Sequence, residues 1–327
     1  MRIGLVLPAI TESYLKLARQ IGADDIVTTL RGPQGARPVW EFRPLMAQRQ
    51  RIEEAGLTWS VIESLPLSDT VKLGLPGRDE EIENWQRSLR NIGAAGIPVM
   101  CYNWMAVFPW LRTSFSTRVR GDALATSYRH ELMQRGPLTE HGVVPEEQLW
   151  DSLAYFLRAV VPVAEEAGVK LAIHPDDPPL SPICGIGRIL THPDAFQRVI
   201  DLFPSPNSGI TFCQGCFAEM GADIPATIER FGRQDKLFFA HFRNLRGTAD
   251  DFCEMFHDDG DTDMFAAMQA YYRVGFPGPM RPDHVPALEG EPNDRPGYSL
   301  WGRFFAVGYM RGLIEAVEKT MGAGTTE

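Results

Sequence analysis

Along this chain, short apolar runs rich in β-branched and aromatic residues alternate with longer stretches whose apolar positions follow a helical period. The short runs predict strands at Ile3–Leu7, Asp25–Thr29, Thr58–Glu63, Pro98–Asn103, Lys170–His174, Gly209–Cys213, Leu237–Phe242 and Pro279–His284. The longer stretches predict helices at Thr11–Ile21, Arg43–Ala55, Glu80–Ala95, Pro145–Ala167, His192–Leu202, Ile224–Phe231, Asp263–Val274 and Trp301–Met321. Gly22, Gly56, Gly96 and Gly168 stand where a helix gives way to the next strand, as expected of a residue that enters left-handed backbone without a Cβ clash.

Eight strand-then-helix units predict an α/β fold with a parallel sheet, and the count favours a closed (β/α)8 TIM barrel. The alternative, an open doubly wound sheet, would normally announce itself with a glycine-rich first turn. Leu7-Pro8-Ala9-Ile10-Thr11 has no GxGxxG, which weakens a dinucleotide reading. Two connections are long: Met105 to Val144 after strand four, and His284 to Ser299 after strand eight. In a barrel both extended loops lie on the catalytic face, where lids and specificity loops belong. With no internal repeat and no linker-like stretch, residues 1–327 are expected to form one barrel domain, with 105–146 as a catalytic-face insertion.

Composition narrows the classes. With 44% hydrophobic and 23% charged residues the chain reads as a soluble globular protein. A net charge of −10 argues against a nucleic-acid surface, while leaving room for an anionic small substrate at a locally cationic pocket. No apolar run approaches the roughly 18 residues a membrane span needs, and the apolar part of the N-terminus is too short for a secretory signal. Five cysteines, an odd number, suggest no disulfide framework. Cys213 and Cys216 form a CxxC that admits redox or zinc chemistry, but no second CxxC accompanies it. The expected compartment is the reducing cytoplasm.

The metal-capable side chains fall in an informative place. His174 ends strand five, Cys213 ends strand six, His241 lies near the end of strand seven and Asp283 near the end of strand eight. Successive strand ends are neighbours at a barrel mouth, so two imidazoles, a thiolate and a carboxylate meeting there can hold a divalent ion. Any one of them alone would be read as structural. After His174 come Pro175, Asp176, Asp177, Pro178 and Pro179, either a capping turn or acidic groups serving the site. In Arg281-Pro282-Asp283-His284 a continuing strand would point Asp283 and His284 to opposite faces, so a bulge or turn must redirect one. His284 is then a candidate acid or base, the alternative being a surface histidine bonded to its loop. Asn103, Arg243 and Asn244, polar at strand ends, are candidate substrate contacts, as are Asp176 and Asp177; each has a structural alternative. Asp258-Asp259-Gly260-Asp261 lacks the spacing and terminal Glu of a calcium loop and reads as a turn before Asp263–Val274.

At these residues the sequence resembles the mannonate dehydratase family of the xylose-isomerase-like barrels. The resemblance is carried by Ala55–Ser64, Cys101-Tyr102-Asn103-Trp104-Met105, Trp110-Leu111-Arg112-Thr113, His174–Pro179, Thr211-Phe212-Cys213-Gln214-Gly215, His241-Phe242-Arg243-Asn244, Gly260–Met264, Arg281–His284 and Pro296-Gly297-Tyr298. It implies a barrel that binds Mn²⁺ or Fe²⁺, with Zn²⁺ not excluded, and converts D-mannonate to 2-keto-3-deoxy-D-gluconate. It places the metal ligands on His174, Cys213, His241 and Asp283 and the acid/base pair on His284 and Tyr298, and it implies a homo-oligomer. The chain departs from the family pattern at Ala106 and Pro109, where Pro and Asp are usual, and at Cys216, Cys253 and Val285, where Ser, His and Gly are usual. Three rivals remain: a sugar isomerase or epimerase on the same barrel, a zinc hydrolase, and a non-catalytic sugar-acid binder. An aldose–ketose shift marks the first, further His/Asp/Glu ligands with a basic face the second, and bound metal without turnover the third.

Overall fold

The computed structural model describes residues 1–29 and 40–322. Its main sheet has the order β1 (Gly4–Val6), β2 (Asp25–Thr29), β3 (Thr58–Glu63), β4 (Val99–Asn103), β7 (Lys170–His174), β8 (Ser208–Cys213), β9 (Leu237–Phe242) and β12 (Met280–Pro282). Every adjacent pair is parallel, and a parallel bridge between Ile3 and Met280 brings the last strand back to the first. The sheet is therefore the closed barrel that eight alternating units predict. The open-sheet alternative falls.

The strands form where the runs predict because both of their faces are buried, one against the barrel interior and one against helices. Val27, Val61, Val99, Cys101, Ala172, Phe238 and Phe239 fill the interior as one buried cluster. Around it pack α1 (Glu12–Gln20), α2 (Phe42–Glu54), the short α3 (Asp69–Lys72), α4 (Arg78–Ala94), α6 (Glu146–Ala167), α7 (Pro193–Leu202), α9 (Ile224–Gly232), α10 (Met264–Arg273) and α11 (Leu300–Gly322). Starts are set by caps: the side chains of Thr11, Asp223 and Asp263 each accept a first-turn backbone N–H. Asp263 is thus the cap that the Asp258–Asp261 turn was expected to lead into.

The eighth strand stops at Pro282, two residues short of the predicted end. Asp283 and His284 are therefore released from strand alternation, and both turn inward: each is at most 3% exposed.

Sequence patterning missed a second sheet. β5 (Ser114–Arg118) and β6 (Leu124–Arg129), from the 105–146 stretch, join β10 (Leu245–Thr248) and β11 (Asp251–Glu254), which follow β9, in the antiparallel order β10-β11-β6-β5. Two short helices, α5 (His130–Met133) and α8 (Gln214–Glu219), complete the elements. The extended loops after β4 and β12 touch as well, through reciprocal backbone hydrogen bonds between Leu124 and Ala287.

Candidate metal centre and active site

Three strand-end donors, His174, Cys213 and His241, bring their ligand atoms within 4.8 Å of one another, and Asp283 borders His241 and Cys213. His174 Nε2 lies 3.1 Å from His241 Nδ1, His241 Nδ1 lies 3.6 Å from Asp283 Oδ2, and Cys213 Sγ lies 3.7 Å from the same Oδ2. Bonds of about 2.0–2.3 Å to one ion in tetrahedral array separate the donors by roughly 3.3–3.8 Å, so these side chains fit a divalent cation. Orientation agrees. His174 Nδ1–H donates to Pro175 O at 2.7 Å, which leaves Nε2 for the cluster. His241 presents Nδ1 to the cluster and Nε2 to Glu63, whose Oε1 lies 3.5 Å away, the carboxylate–histidine support typical of metal ligands. Nε2 has no hydrogen-bond partner within normal reach, so the Glu63 contact is one that a small adjustment completes.

Electrostatics points the same way. Burial pushes the Cys213 thiol up, but the Cys216 hydrogen bond, the Arg243 guanidinium and His174 outweigh it and hold Cys213 well below its ordinary range. Burial also opposes the Asp283 charge, and Arg281, His284 and His241 more than offset it. Against burial, those two anions lift His174 to about 9. A buried thiolate and carboxylate that raise a neighbouring imidazole in this way are asking for positive charge.

A second group of possible donors, Asp177, Cys216 and Glu219, also gathers closely. Arg243 already fills it: Nη2 donates to Asp177 Oδ2 at 3.2 Å, Cys216 Sγ at 3.1 Å and Glu219 Oε1 at 3.0 Å. Its Nη1 donates to Glu254, and its Nε lies 3.4 Å from Cys213 Sγ and 3.3 Å from Asp283 Oδ2. The guanidinium reaches this place because residue 215 is glycine; a Cβ there would stand 2.3 Å from Arg243 Nε. Arg112 closes the network, donating to Asp177 Oδ1 at 2.6 Å, Asp177 Oδ2 at 3.1 Å and Glu254 Oε1 at 2.5 Å. Burial works against the Asp177 charge, yet Arg112 and Arg243 bring its pKa down to about 2.

The network ends on His284 and Tyr298, the expected acid/base pair. His284 Nδ1 lies 2.8 Å from Glu254 Oε1, and His284 Nε2 lies 3.0 Å from Tyr298 OH. The same Nδ1 lies 3.1 Å from Arg112 Nη2 and 3.4 Å from Arg243 Nη1; in the tautomer whose Nδ1–H is given to Glu254, Nε2 is the nitrogen that accepts. Trp110 walls the pair, its ring centroid 5.0 Å from that of His284 and 6.1 Å from that of Tyr298. Burial raises the Tyr298 phenol, the Asp283 and Glu63 charges add to this, and Arg281 and Arg303 oppose it.

The candidate substrate contacts divide. Asn103 ends β4 as the register partner of His174, which sets it beside the metal cluster. Asp177 belongs to the arginine network. Arg243 is fully buried with all three nitrogens engaged by protein groups, so it supports the site and does not face a substrate. Asp176 serves the local backbone: Oδ2 accepts the Ile189 and Leu190 N–H groups, while Oδ1, 3.6 Å from Arg188, has no hydrogen-bond partner among the described residues. Asn244 does so too. Its Nδ2 donates to His257 O and Thr262 O, and its Oδ1 accepts from Leu245 N and Thr262 N, so the amide is spent on local structure.

Sequence reasoning assigned no role to Glu63, Trp110, Arg112, Glu219, Glu254 or Arg281. Glu63 and Arg281 carried a usable signal, a charge at or near the end of an otherwise apolar strand. In the fold they form a buried bidentate pair, Nε to Oε2 at 2.8 Å and Nη2 to Oε1 at 2.6 Å. Arg112 and Glu254 come from loops and offered no comparable signal. All five cysteines are free, so the CxxC forms no disulfide.

The family described as D-mannonate dehydratase (UxuA) matches residues 10–141 and 135–323. Mannonate dehydratase 2 of Halalkalibacterium halodurans is 39% identical over 306 residues, covering 85% of this chain and 88% of its own length. Mannonate dehydratase of Thermotoga maritima is 38% identical over 316 residues, covering 86% and 87%. The crystal structure of mannonate dehydratase from Streptococcus suis serotype 2 has a TM-score of 0.92 at 35% identity, covering 98% of this chain and 95% of that one. A D-tagatose 3-epimerase-like protein, with a TM-score of 0.65 at 15% identity, shares the fold alone. The chain belongs to the D-mannonate dehydratase family.

Proposed function

We propose that this protein is a metal-dependent hydro-lyase that converts D-mannonate, or a closely related aldonic acid, to 2-keto-3-deoxy-D-gluconate by loss of water. One observation carries the reading: the His284–Tyr298 pair lies directly beside the convergent donors His174, Cys213, His241 and Asp283, with Asp283 and His284 adjacent in the chain. Those four side chains would hold a divalent ion, Mn²⁺ or Fe²⁺, with Zn²⁺ also compatible with a mixed N, O and S donor set. When bound, the ion supplies Lewis-acid stabilisation of the negative charge that develops on an aldonate as its C2 proton leaves.

The protein's own groups handle the protons. His284, with Glu254 fixing its Nδ1–H, presents Nε2 as the base that takes the proton from C2. Tyr298 stays protonated because burial raises its pKa, so its OH delivers a proton to the C3 hydroxyl, which departs as water. The enol left behind tautomerises to the 2-keto-3-deoxy acid. Each of the two groups contributes about 10²–10⁴-fold. Arg112 and Arg243 hold Glu254 in place, and Trp110 keeps the pair under an apolar wall. Among the described residues no helix is long and apolar enough to cross a membrane. The same reading expects a homo-oligomer in the cytoplasm, a compartment in which the five thiols stay reduced.

The test is metal analysis of the purified protein, followed by a 2-keto-3-deoxy-acid assay across a panel of aldonates. One divalent ion per chain and product from D-mannonate are expected, with both lost in Cys213→Ala. An aldose–ketose shift, or bound metal without turnover on any aldonate, would overturn the reading.

A further inference from the structure

A cavity of about 430 Å³ lies at the ends of β3 and β4, with Ser64, Ser68, Asp69, Lys72, Asn103 and Pro109 in its lining. Asn103 ties it to the metal side through its register partner His174. Pro109 ties it to the acid/base side, since the next residue, Trp110, packs on His284. Residue 109 is also one of the positions at which this chain departs from the family pattern.

Lys72, the last residue of α3, is 7% exposed. Its ammonium donates to Met105 O at 2.8 Å and Asn103 Oδ1 at 3.3 Å, and it makes no ion pair among the described residues. An ammonium has three N–H groups, so one is left over. A buried cation with a spare donor and only neutral acceptors is costly, and the barrel core has no need of it. Burial lowers its pKa to about 8, partly offset by the Asp69 and Asp176 charges.

Asp69 faces the same cavity with the opposite polarity. Its Oδ1 accepts the Val107 N–H at 2.8 Å, while Oδ2 makes no hydrogen bond among the described residues. That contact holds Val107 at φ 63°, backbone that a β-branched residue rarely adopts. A spare donor beside a spare acceptor is the complement of a hydroxyl group, which does both. A second carboxylate would meet the Asp69 charge and be repelled.

We propose that Lys72, together with Asn103 and Asp69, grips the hydroxyl groups at the far end of the substrate chain, and so selects for chain length and for an uncharged terminus. The inference rests on the aldonate reading above and takes the carboxylate end of the substrate to lie at the metal cluster. Lys72 is then a specificity residue that acts on binding and takes no part in the proton transfers.

The experiment is calorimetric titration of the metal-loaded protein with D-mannonate and with the five-carbon aldonic acid that lacks the terminal hydroxymethyl group. Wild type, Lys72→Met and Lys72→Arg are compared, with melting temperature and metal content recorded for each. A hydrogen bond from a charged donor implies that wild type binds the six-carbon acid about 10- to 100-fold tighter than the five-carbon acid. In Lys72→Met that advantage is expected to vanish while five-carbon binding is unchanged, and Lys72→Arg restores part of it. Equal affinity of wild type for the two acids overturns the proposal without any variant. So do equal losses on both acids in Lys72→Met, no binding of either acid, or tighter binding of a six-carbon dicarboxylic acid. Binding is read without turnover. A wild type that shows the chain-length contrast yet forms no 2-keto-3-deoxy acid supports the Lys72 proposal and defeats the dehydration reading alone.

Discussion

His257, three residues past Glu254 at the end of β11, is used as a neutral structural donor. Its ring Nε2–H donates to Phe242 O at 2.7 Å, and its own carbonyl accepts from Asn244 Nδ2. Full burial brings its pKa down from 6.5 to about 4, against smaller opposing contributions from the Phe242 hydrogen bond and nearby acids. Because the folded value is the lower one, the unfolded chain takes up the proton first as pH falls. The stabilisation is complete above pH 6.5 and drains away as pH drops through 6.5 toward 4. For a shift of this size about 3 kcal/mol is lost between pH 7 and pH 4. His257→Gln keeps a donor for Phe242 O without titrating. Urea unfolding at the two pH values is expected to show wild type losing about 3 kcal/mol more than the variant; equal losses would mean that His257 is protonated in the folded protein. Asp176 and Asn244 teach a related point. Their polarity at strand ends was legible, but their duty was not, because it is set by backbone groups of Ile189, Leu190 and Thr262 that only the fold returns to them.

Among the elements, the small antiparallel sheet decides whether the acid/base pair is usable. Glu254 closes β11, and Arg112 lies just ahead of β5, so the sheet delivers both to His284. Phe252 is its keystone, stacked on Tyr128 at 5.8 Å with the Arg112 guanidinium 4.7 Å from its ring. Phe252→Ala removes a buried ring and should cost about 3–5 kcal/mol locally. Faster proteolysis within 113–129 and a fall in kcat are expected, with metal content unchanged because no metal donor lies on this sheet. Loss of metal together with activity would show that the barrel mouth itself depends on the sheet. The barrel strands were legible because burial on both faces makes them continuous apolar runs. The small sheet was not: β5 reads Ser-Phe-Ser-Thr-Arg and is mostly open to solvent, while β10 and β11 have four residues each. Their pairing across the chain, Phe252 with Tyr128 and Asp251 with Arg129, leaves no local pattern to find.

For the molecule as a whole, the donor set also bears on how the barrel closes. His174, Cys213 and His241 come from β7, β8 and β9, while Asp283 follows β12, the three-residue strand that meets the start of the chain through Ile3 and Met280. The four strand-end positions were readable from sequence because barrel geometry makes successive ends neighbours. Sequence called for a redirection at Asp283-His284; what it could not supply was that the strand ends at Pro282, so that both side chains turn inward, Asp283 to the cluster and His284 to Tyr298. A short closing strand gains little from its own ladder, so an ion held by Asp283 together with donors from β7, β8 and β9 would tie the last segment to the middle of the chain. Any ligand bound only by the folded state stabilises it, by about 2.7 kcal/mol at 100 times its dissociation constant. For a chain of 327 residues that corresponds to a melting temperature about 4 °C higher. Stripping the protein with a chelator is therefore expected to lower its melting temperature by a few degrees, and Mn²⁺ to restore it. In Asp283→Asn the chelator should have a much smaller effect, since the weakened donor no longer couples the ion to barrel closure. A wild-type melting temperature indifferent to the chelator, in protein shown to have held metal, would place that ion away from the four strand ends.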